Sequence, residues 1–222
     1  MAKQGQQHVY LVGIMGCGKS SVGRHLAQQL GVPFVDLDEW IVEKEGRDSV
    51  TDIFETEGEA HWRRLECKWL TELSSQKKRM VIATGGGTVL QKENVRRMRR
   101  TGVVVWLDRP LDEIMGSIDT SKRPLLKDGK DKLEEIFAQR KGLYSKAANI
   151  RFVNKYNNAK RAAELLQRQL QRRELRLAEA ARRRWKEKRA KMQKGKHTLD
   201  KAYTKRRENE TPDDMEKKDA SI

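Results

Sequence analysis

Short apolar runs alternate with longer segments of helical spacing along the first 150 residues. Five of the runs are rich in β-branched residues and predict strands. They lie at residues 9–12, 33–36, 81–83, 103–107 and 150–153. Segments between them, such as Ser20–Leu30 and Ile53–Leu73, carry apolar residues at the spacing of a helix face. Strands that alternate with helices predict an α/β fold, a five-stranded parallel sheet with helices on both faces.

The pattern changes at Ala159. From there to Lys194 the chain has neither Pro nor Gly, and strong helix formers dominate, which predicts one long C-terminal helix. After Gly195 the sequence is polar and rich in charge, and we predict a disordered tail. The predicted domains are residues 1–171, the α/β domain, and 172–222, a basic helical extension that is disordered after about residue 195.

The formal net charge of +16 is unevenly distributed. Residues 172–222 contain 18 Lys and Arg against 10 Asp and Glu, so half of the excess lies in less than a quarter of the chain. The preceding residues are only mildly basic, as suits a protein that binds small anionic molecules.

The basic run at residues 182–191 allows two interpretations. Its arginines could contact the phosphates of nucleic acid or an anionic surface, and Trp185 could stack on a base. Charge runs are, however, commonly the solvated face of a helix. We favour the solvated helix over a nucleic-acid or anionic-surface partner.

Cysteine content and hydropathy bear on location. Cys17 and Cys67 are too few for a disulfide scaffold or a metal site of the usual spacing. The first seven residues have no apolar stretch, and the apolar run Val103–Leu107 is far too short to cross a membrane. We therefore expect a cytoplasmic protein without a membrane span.

The segment Gly13–Ser20 has the spacing Gly-x4-Gly-Lys-Ser of a phosphate-binding loop, between a predicted strand and a predicted helix. Its glycines allow backbone N–H groups to curl around an anion, and the N-terminus of the next helix adds positive potential. Lys19 would reach the β- and γ-phosphates of ATP, and Ser20 would offer its hydroxyl to Mg²⁺. The loop predicts a phosphotransferase.

Two more segments leave predicted strands at the same edge of the sheet, where ligands of parallel sheets bind. Asp36 and Asp38 follow the second strand, and Gly85-Gly86-Gly87 follows the third. One aspartate could support Mg²⁺ while the other takes a proton from an attacking hydroxyl. Asp38 could instead cap the following helix. The glycines permit close approach to a ligand, or make a turn.

Four arginines are considered as anion contacts. Arg63 and Arg64 lie on the helix predicted from Ile53, and Arg64 is interpreted as a solvated surface residue. Arg123 lies in a polar segment between helices, of the kind that closes over a bound nucleotide. Arg140 is the other candidate anion clamp.

Together these motifs closely resemble shikimate kinase. The resemblance runs in chain order from residue 8 to about residue 155, and it depends on several separated motifs rather than on the phosphate loop alone. The motifs are Gly13–Ser20, Asp36-Leu37-Asp38, Gly58-Glu59 with Trp62-Arg63 and Glu66, Ala83–Gly87, Arg123-Pro124-Leu125-Leu126, and Arg140 with Leu143-Tyr144.

The resemblance implies a P-loop kinase fold of the nucleoside-monophosphate-kinase type with a mobile lid. It also implies a reaction in which ATP and shikimate give ADP and shikimate 3-phosphate, a step of chorismate and aromatic amino-acid biosynthesis. The implied catalytic residues are Lys19, Asp38 and Arg123, with Asp38 taking the proton. A monomer is expected.

The resemblance also implies which residues bind each ligand. Arg63 and Arg140 would hold the shikimate carboxylate, while the Gly86 backbone contacts the ring. The implied sets are Asp38, Arg63, Gly86 and Arg140 for shikimate, Gly16, Cys17, Gly18, Lys19, Ser20, Ser21 and Arg123 for ATP, and Ser20 and Asp36 for Mg²⁺.

The sequence departs from the family pattern at two positions of note. Gly116 stands where a lid arginine is usual, so a contact on the adenine side is expected to be missing or to come from elsewhere. Gly142 replaces a proline, which should loosen the turn after Arg140. Two other interpretations stay open: a related small-molecule kinase, such as a gluconate kinase, and a weakly active kinase-like module with a nucleic-acid-binding tail.

Overall fold

The computed structural model describes residues 7–117 and 130–208, with side chains described for 7–116 and 132–187. These residues form five strands, seven α-helices and a short 3₁₀ helix at Thr88–Leu90. The strands are β1 (His8–Val12), β2 (Phe34–Asp36), β3 (Val81–Ala83), β4 (Gly102–Asp108) and β5 (Ile150–Val153). The helices are α1 (Lys19–Leu30), α2 (Leu37–Lys44), α3 (Val50–Ser75), α4 (Lys92–Thr101), α5 (Leu111–Ser117), α6 (Lys130–Ala147) and α7 (Ala159–Glu208).

The strands form one parallel sheet in the order β2-β3-β1-β4-β5. In the centre, Val9 of β1 pairs with Val81 on one side and with Val103 on the other. Every residue of β1 and β4 is buried, because helices cover both faces of a parallel sheet. The edge strand β5 alternates buried and exposed residues. The predicted fold class is confirmed.

Helix α3 starts earlier than the apolar spacing predicted and is interrupted by a glycine. Ser49 caps its start, where the Ser49 hydroxyl accepts a hydrogen bond from the N–H of Asp52 at 3.1 Å. Because a polar cap fixes the start of the helix, the apolar spacing alone places that start too late, at Ile53. Gly58 has a φ of 80° and kinks the helix, a conformation that glycine adopts without strain.

The topology brings three loops to one edge of the sheet. β1 runs into the loop Gly13–Ser20, β2 ends at Asp36, and β3 leads into Gly85-Gly86-Gly87. Parallel strands have their carboxyl ends on the same edge, and their ligands bind there. The three predicted segments therefore meet at one place.

The chain divides into two compact units, Met1–Leu170 and Gln171–Ile222. In the first, Leu166 and Leu170 of α7 are buried in the core. In the second, Trp185 is exposed. The domain limits predicted from the sequence remain a prediction.

Helix α7 continues to Glu208, whereas the sequence pattern favoured helix only as far as Lys194. One glycine, Gly195, costs a helix only about 1 kcal/mol, and strong helix formers surround it. No helix among the described residues is both long enough and apolar enough to cross a bilayer.

His8 is a buried titratable residue at the start of β1. Its side chain is almost fully buried, and the ring packs edge-on against Tyr10 with the centroids 5.9 Å apart. Burial lowers the pKa of the imidazole below its ordinary value of 6.5. The folded protein therefore favours the neutral form of His8.

We predict that acid destabilises the fold through His8. Below pH 6.5 the unfolded chain binds a proton that the folded chain does not bind. The free energy of unfolding is therefore fully retained above that pH and falls as the pH drops through the lower folded-state pKa. Urea denaturation between about pH 5 and pH 8 should show a flatter pH dependence for His8→Gln than for the wild type. An equal pH dependence of the unfolding free energy in the two proteins would show that His8 does not cause the acid destabilisation.

Candidate active site

The loop between β1 and α1 has the backbone geometry of an anion cradle. Gly16 and Gly18 have φ angles of 80° and 96°, in the left-handed region that favours glycine. Gly18 is also the N-cap of α1, so the first N–H groups of that helix open onto the loop. The Nζ of Lys19 donates hydrogen bonds to the carbonyl oxygens of Gly13 and Ile14, each at 3.0 Å.

Cys17 is fully buried beneath this loop. A Cβ atom placed on Gly13 would lie 2.9 Å from its Sγ atom, so the thiol fills the space inside the loop. Burial raises the pKa of the Cys17 thiol, although the charge of Lys19 opposes the rise. The side chain is therefore a neutral packing group and does not line the cavity.

Asp36 connects the phosphate loop to the start of α2. Its Oδ2 accepts a hydrogen bond from Ser20 Oγ at 2.5 Å, and its Oδ1 accepts one from the N–H of Asp38 at 3.1 Å. Asp36 is therefore the N-cap of α2, and the alternative role of Asp38 as a cap is wrong. The cap leaves the Asp38 carboxylate in the first turn of the helix, facing the cavity.

Ser20 Oγ and Asp36 Oδ2 place two hard oxygen atoms beside the loop. Mg²⁺ prefers such atoms and usually takes its other ligands from water and from substrate phosphates. Among the described residues, no group of three His, Cys, Asp or Glu side chains is arranged to hold a metal. The pair therefore fits a Mg²⁺ ion that is shared with a nucleotide.

At Gly85 and Gly87, the backbone after β3 passes so close to charged side chains that a Cβ atom would force those side chains to shift. A Cβ atom on Gly85 would lie 2.5 Å from Glu66 Oε1 and 2.7 Å from Asp38 Oδ1. A Cβ atom on Gly87 would lie 2.5 Å from Cζ of Arg63. These separations are far below normal van der Waals contact. The glycine run therefore serves close approach and is more than a turn.

Two glutamates of α3 fix the guanidinium of Arg63. Arg63 pairs with Glu66, and its Nη2 donates to Glu59 Oε1 at 2.7 Å. Glu66 is fully buried and also accepts a hydrogen bond from Thr88 Oγ1 at 2.6 Å. The Arg63 side chain is only 10% exposed, whereas Arg64 is exposed as predicted.

Helix α6 brings a second arginine to the glycine run. Tyr144 OH donates a hydrogen bond to the carbonyl oxygen of Gly86 at 2.6 Å. Burial raises the pKa of Tyr144, and the charges of Arg140 and Arg63 both oppose that rise. Arg140 is buried, and its Nη1 has no hydrogen-bond partner among the described residues. Buried polar groups are normally paired, so this atom is suited to an anionic ligand.

A cavity of about 700 Å³ lies between the phosphate loop, the start of α2 and Gly86. Arg63, which lies against Gly87, and Arg140, which lies one helical turn before Tyr144, are not among the residues that line it. Arg123 and the Pro124–Leu126 segment lie outside the described residues. The predicted site residues that line the cavity are Gly16, Gly18, Lys19, Ser20, Ser21, Asp36, Asp38 and Gly86.

A phosphate cradle, an oxygen pair for Mg²⁺ and a carboxylate facing the same cavity define a P-loop kinase. Such a protein positions a phosphoryl donor and a hydroxyl acceptor and neutralises the charge between them. Comparison with known proteins narrows the class further.

Residues 15–171 match the family model described as shikimate kinase. The shikimate kinase of Persephonella marina is 42% identical over 142 residues, which are 64% of this chain and 85% of that protein. That of Gloeobacter violaceus is 46% identical over 143 residues, 63% of this chain and 79% of that protein. The solved structure of Acinetobacter baumannii shikimate kinase in complex with shikimate has a TM-score of 0.70 and 36% identity, over 76% of this chain and 96% of that chain. The chain belongs to the shikimate kinase family.

These findings confirm the family, the enzyme class and the function predicted from the motifs. The departures at Gly116 and Gly142 both fall in helices, in α5 and α6. Apart from its chain neighbours and the backbone of its own helix, a Cβ atom at either position would meet no atom of the described residues within 4 Å. Gly142 therefore continues α6 where the family pattern has a proline, and Gly116 brings no side chain to the cavity.

Three residues that organise the cavity were not among the predicted site residues. Glu66 and Tyr144 occurred in the family motifs, but neither their burial nor their partners can be read from the sequence. Arg109 also lines the cavity and was missed. A signal for it existed, because it follows the last residue of β4 at the edge where ligands bind.

We predict that Gly87→Ala destabilises the protein through Arg63. The φ of Gly87 is −99°, which alanine also adopts, so the new methyl group acts only by displacing the guanidinium. Overpacking of this kind costs about 1–3 kcal/mol of unfolding free energy. Urea denaturation measures the loss.

Gly142→Ala is the matched control, because its methyl group meets no neighbour and helices favour alanine by up to about 1 kcal/mol. In the double variant Arg63→Ala with Gly87→Ala, the methyl group should cost much less than it does alone. Full additivity of the two substitutions would contradict the contact.

Proposed function

We propose that this protein transfers the γ-phosphoryl group of ATP to the 3-hydroxyl of shikimate, with Asp38 as the base and Arg63 and Arg140 as the carboxylate clamp. The observation that carries the proposal is the approach of Asp38 and Arg63 to Gly85–Gly87, beside a phosphate loop. The buried Arg140 lies on α6, the helix whose Tyr144 donates a hydrogen bond to Gly86. A ring that bears one carboxylate and several hydroxyls needs this combination of guanidinium cations for the carboxylate and a carboxylate base for a hydroxyl.

The donor side consists of the phosphate loop and the Ser20–Asp36 pair. Lys19 would exchange its contacts with Gly13 and Ile14 for the β- and γ-phosphate oxygens. Ser20 and Asp36 would hold Mg²⁺, which offsets negative charge on the phosphates when bound. In this proposal Arg123 adds a lid cation, as the family resemblance implies.

On the acceptor side, the shikimate carboxylate would bind Arg63 and the unpaired Nη1 of Arg140. Glu59 and Glu66 hold Arg63 in position before the substrate arrives, so little conformational freedom is lost on binding. Charge-assisted hydrogen bonds from guanidinium groups are the stronger kind for a carboxylate.

Asp38 would accept a hydrogen bond from the attacking hydroxyl and take its proton. As the bond forms between the 3-oxygen and the γ-phosphorus, the bond from that phosphorus to the β–γ bridging oxygen breaks and ADP leaves. Asp36 fixes the position of Asp38 through the Asp38 N–H. Catalysis rests on this positioning and on charge neutralisation.

We predict that ADP release depends on shikimate. A coupled assay with ATP and Mg²⁺ should give turnover with shikimate, and only background with gluconate or without an acceptor. Release at the same rate without an acceptor would contradict the proposal. It would favour a weakly active kinase-like module instead.

We predict that Asp38→Asn lowers kcat by about 100-fold or more while leaving ADP affinity nearly unchanged. Removal of a general base costs a factor of this size, and the donor side does not depend on the Asp38 carboxylate. Steady-state kinetics and calorimetric titration with ADP measure the two effects separately. Retained turnover would remove Asp38 from the role of base.

A further inference from the structure

Arg109 lies across the phosphate loop from Asp38. Asp38 follows β2 and Arg109 follows β4, and β1 with its loop comes between them in the sheet. The loop passes close to β4, because a Cβ atom on Gly13 would lie 2.6 Å from the carbonyl oxygen of Leu107. Arg109 comes two residues later and lines the cavity together with Gly16 and Gly18.

The guanidinium of Arg109 is fixed along its edge. Its Nε donates to Glu113 Oε2 at 3.3 Å, and its Nη2 donates to Asn157 Oδ1 at 2.8 Å. The Arg109 side chain is only 15% exposed. The two contacts fix the plane of the group, and the Glu113 carboxylate offsets part of its charge.

Asn157 lies in the segment between β5 and α7, which contacts the phosphate loop. In the same segment, Asn154 donates from Nδ2 to the carbonyl oxygen of Cys17 at 3.4 Å and from its N–H to Asp108 O at 2.8 Å. Asn157 therefore holds Arg109 from a segment that Asn154 ties to the phosphate loop, and Arg109 is the member of this group that lines the cavity.

The direction in which the nucleotide would lie across the sheet follows from the position of Asp38, where the acceptor would react. A γ-phosphate that reacts at Asp38 points toward β2, so the α-phosphate, the ribose and the base extend toward β4 and β5. Gly116 has no side chain with which to meet them. Arg109 is a planar cation on that side, with its edge already occupied.

We propose that Arg109 binds the purine base of the nucleotide by stacking its guanidinium plane on the ring. The proposal rests on the proposed use of ATP as the phosphoryl donor. Arginine stacks on aromatic faces, and the interaction depends on the flat guanidinium as well as on its charge.

Titration with two anions, one with a base and one without, distinguishes a contact to the base from a contact to the phosphates. Calorimetric titration with ADP and with inorganic tripolyphosphate, each with Mg²⁺, should be carried out on the wild type, Arg109→Ala and Arg109→Lys. Both variants should bind ADP about 10-fold more weakly, the size expected for a partly desolvated cation–π contact. Tripolyphosphate, which has no base, should bind all three proteins equally and thereby shows that the loop is intact.

Arg161→Ala is the matched control. Arg161 lies in the first turn of α7, pairs with Glu164 at 3.0 Å and is 52% exposed. It does not line the active-site cavity. Its loss should leave the affinity for both anions unchanged.

Two results would overturn the stacking role. Equal weakening of ADP and tripolyphosphate, with recovery in Arg109→Lys, would make Arg109 a phosphate contact. Unchanged ADP affinity in Arg109→Ala would make it a structural residue. Because the titrations need no acceptor, failure of shikimate-dependent turnover with normal ADP binding would overturn the proposed function alone.

Discussion

A Cβ atom on Gly85 would come within 2.7 Å of two carboxylate oxygens, one from α3 and one from α2, and a Cβ atom on Gly87 would press on the Arg63 guanidinium. The absence of side chains after β3 thus allows the Asp38 carboxylate, which suits a hydroxyl group, and the Arg63 guanidinium, which suits a carboxylate, to approach one stretch of backbone. Tyr144 fixes the same stretch from α6 by its hydrogen bond to Gly86. The acceptor half of the site depends on this close packing.

The donor half follows a different principle, in which backbone conformation supplies the binding groups. Left-handed glycines and a helix N-terminus present N–H groups to phosphate, and Lys19 adds a positive charge that the loop carbonyls hold in place. Asp36 joins the two halves, since one of its oxygens contacts Ser20 beside the loop and the other fixes the start of α2, which carries Asp38. A single carboxylate therefore relates the proposed Mg²⁺ site to Asp38, the proposed base.

The sequence predicted the sheet and the phosphate loop because both depend on local patterns, apolar runs in the one and glycine spacing in the other. It also predicted Asp38, Arg63, Gly86 and Arg140 through the family resemblance. It could not decide which aspartate caps α2, because Asp36 and Asp38 both precede helical positions. The burial of Glu66 and the approach of Arg109 depend on contacts between distant segments, which a single sequence does not reveal.

A crystal structure with shikimate and ADP bound would test the acceptor site most directly. We expect the shikimate carboxylate within hydrogen-bond distance of Arg63 and of Nη1 of Arg140. We also expect a hydroxyl of the shikimate ring to be hydrogen-bonded to the Asp38 carboxylate, beside the backbone of Gly86. A carboxylate bound elsewhere, for example at Arg109, or an Asp38 side chain without contact to the substrate, would contradict the proposed acceptor site.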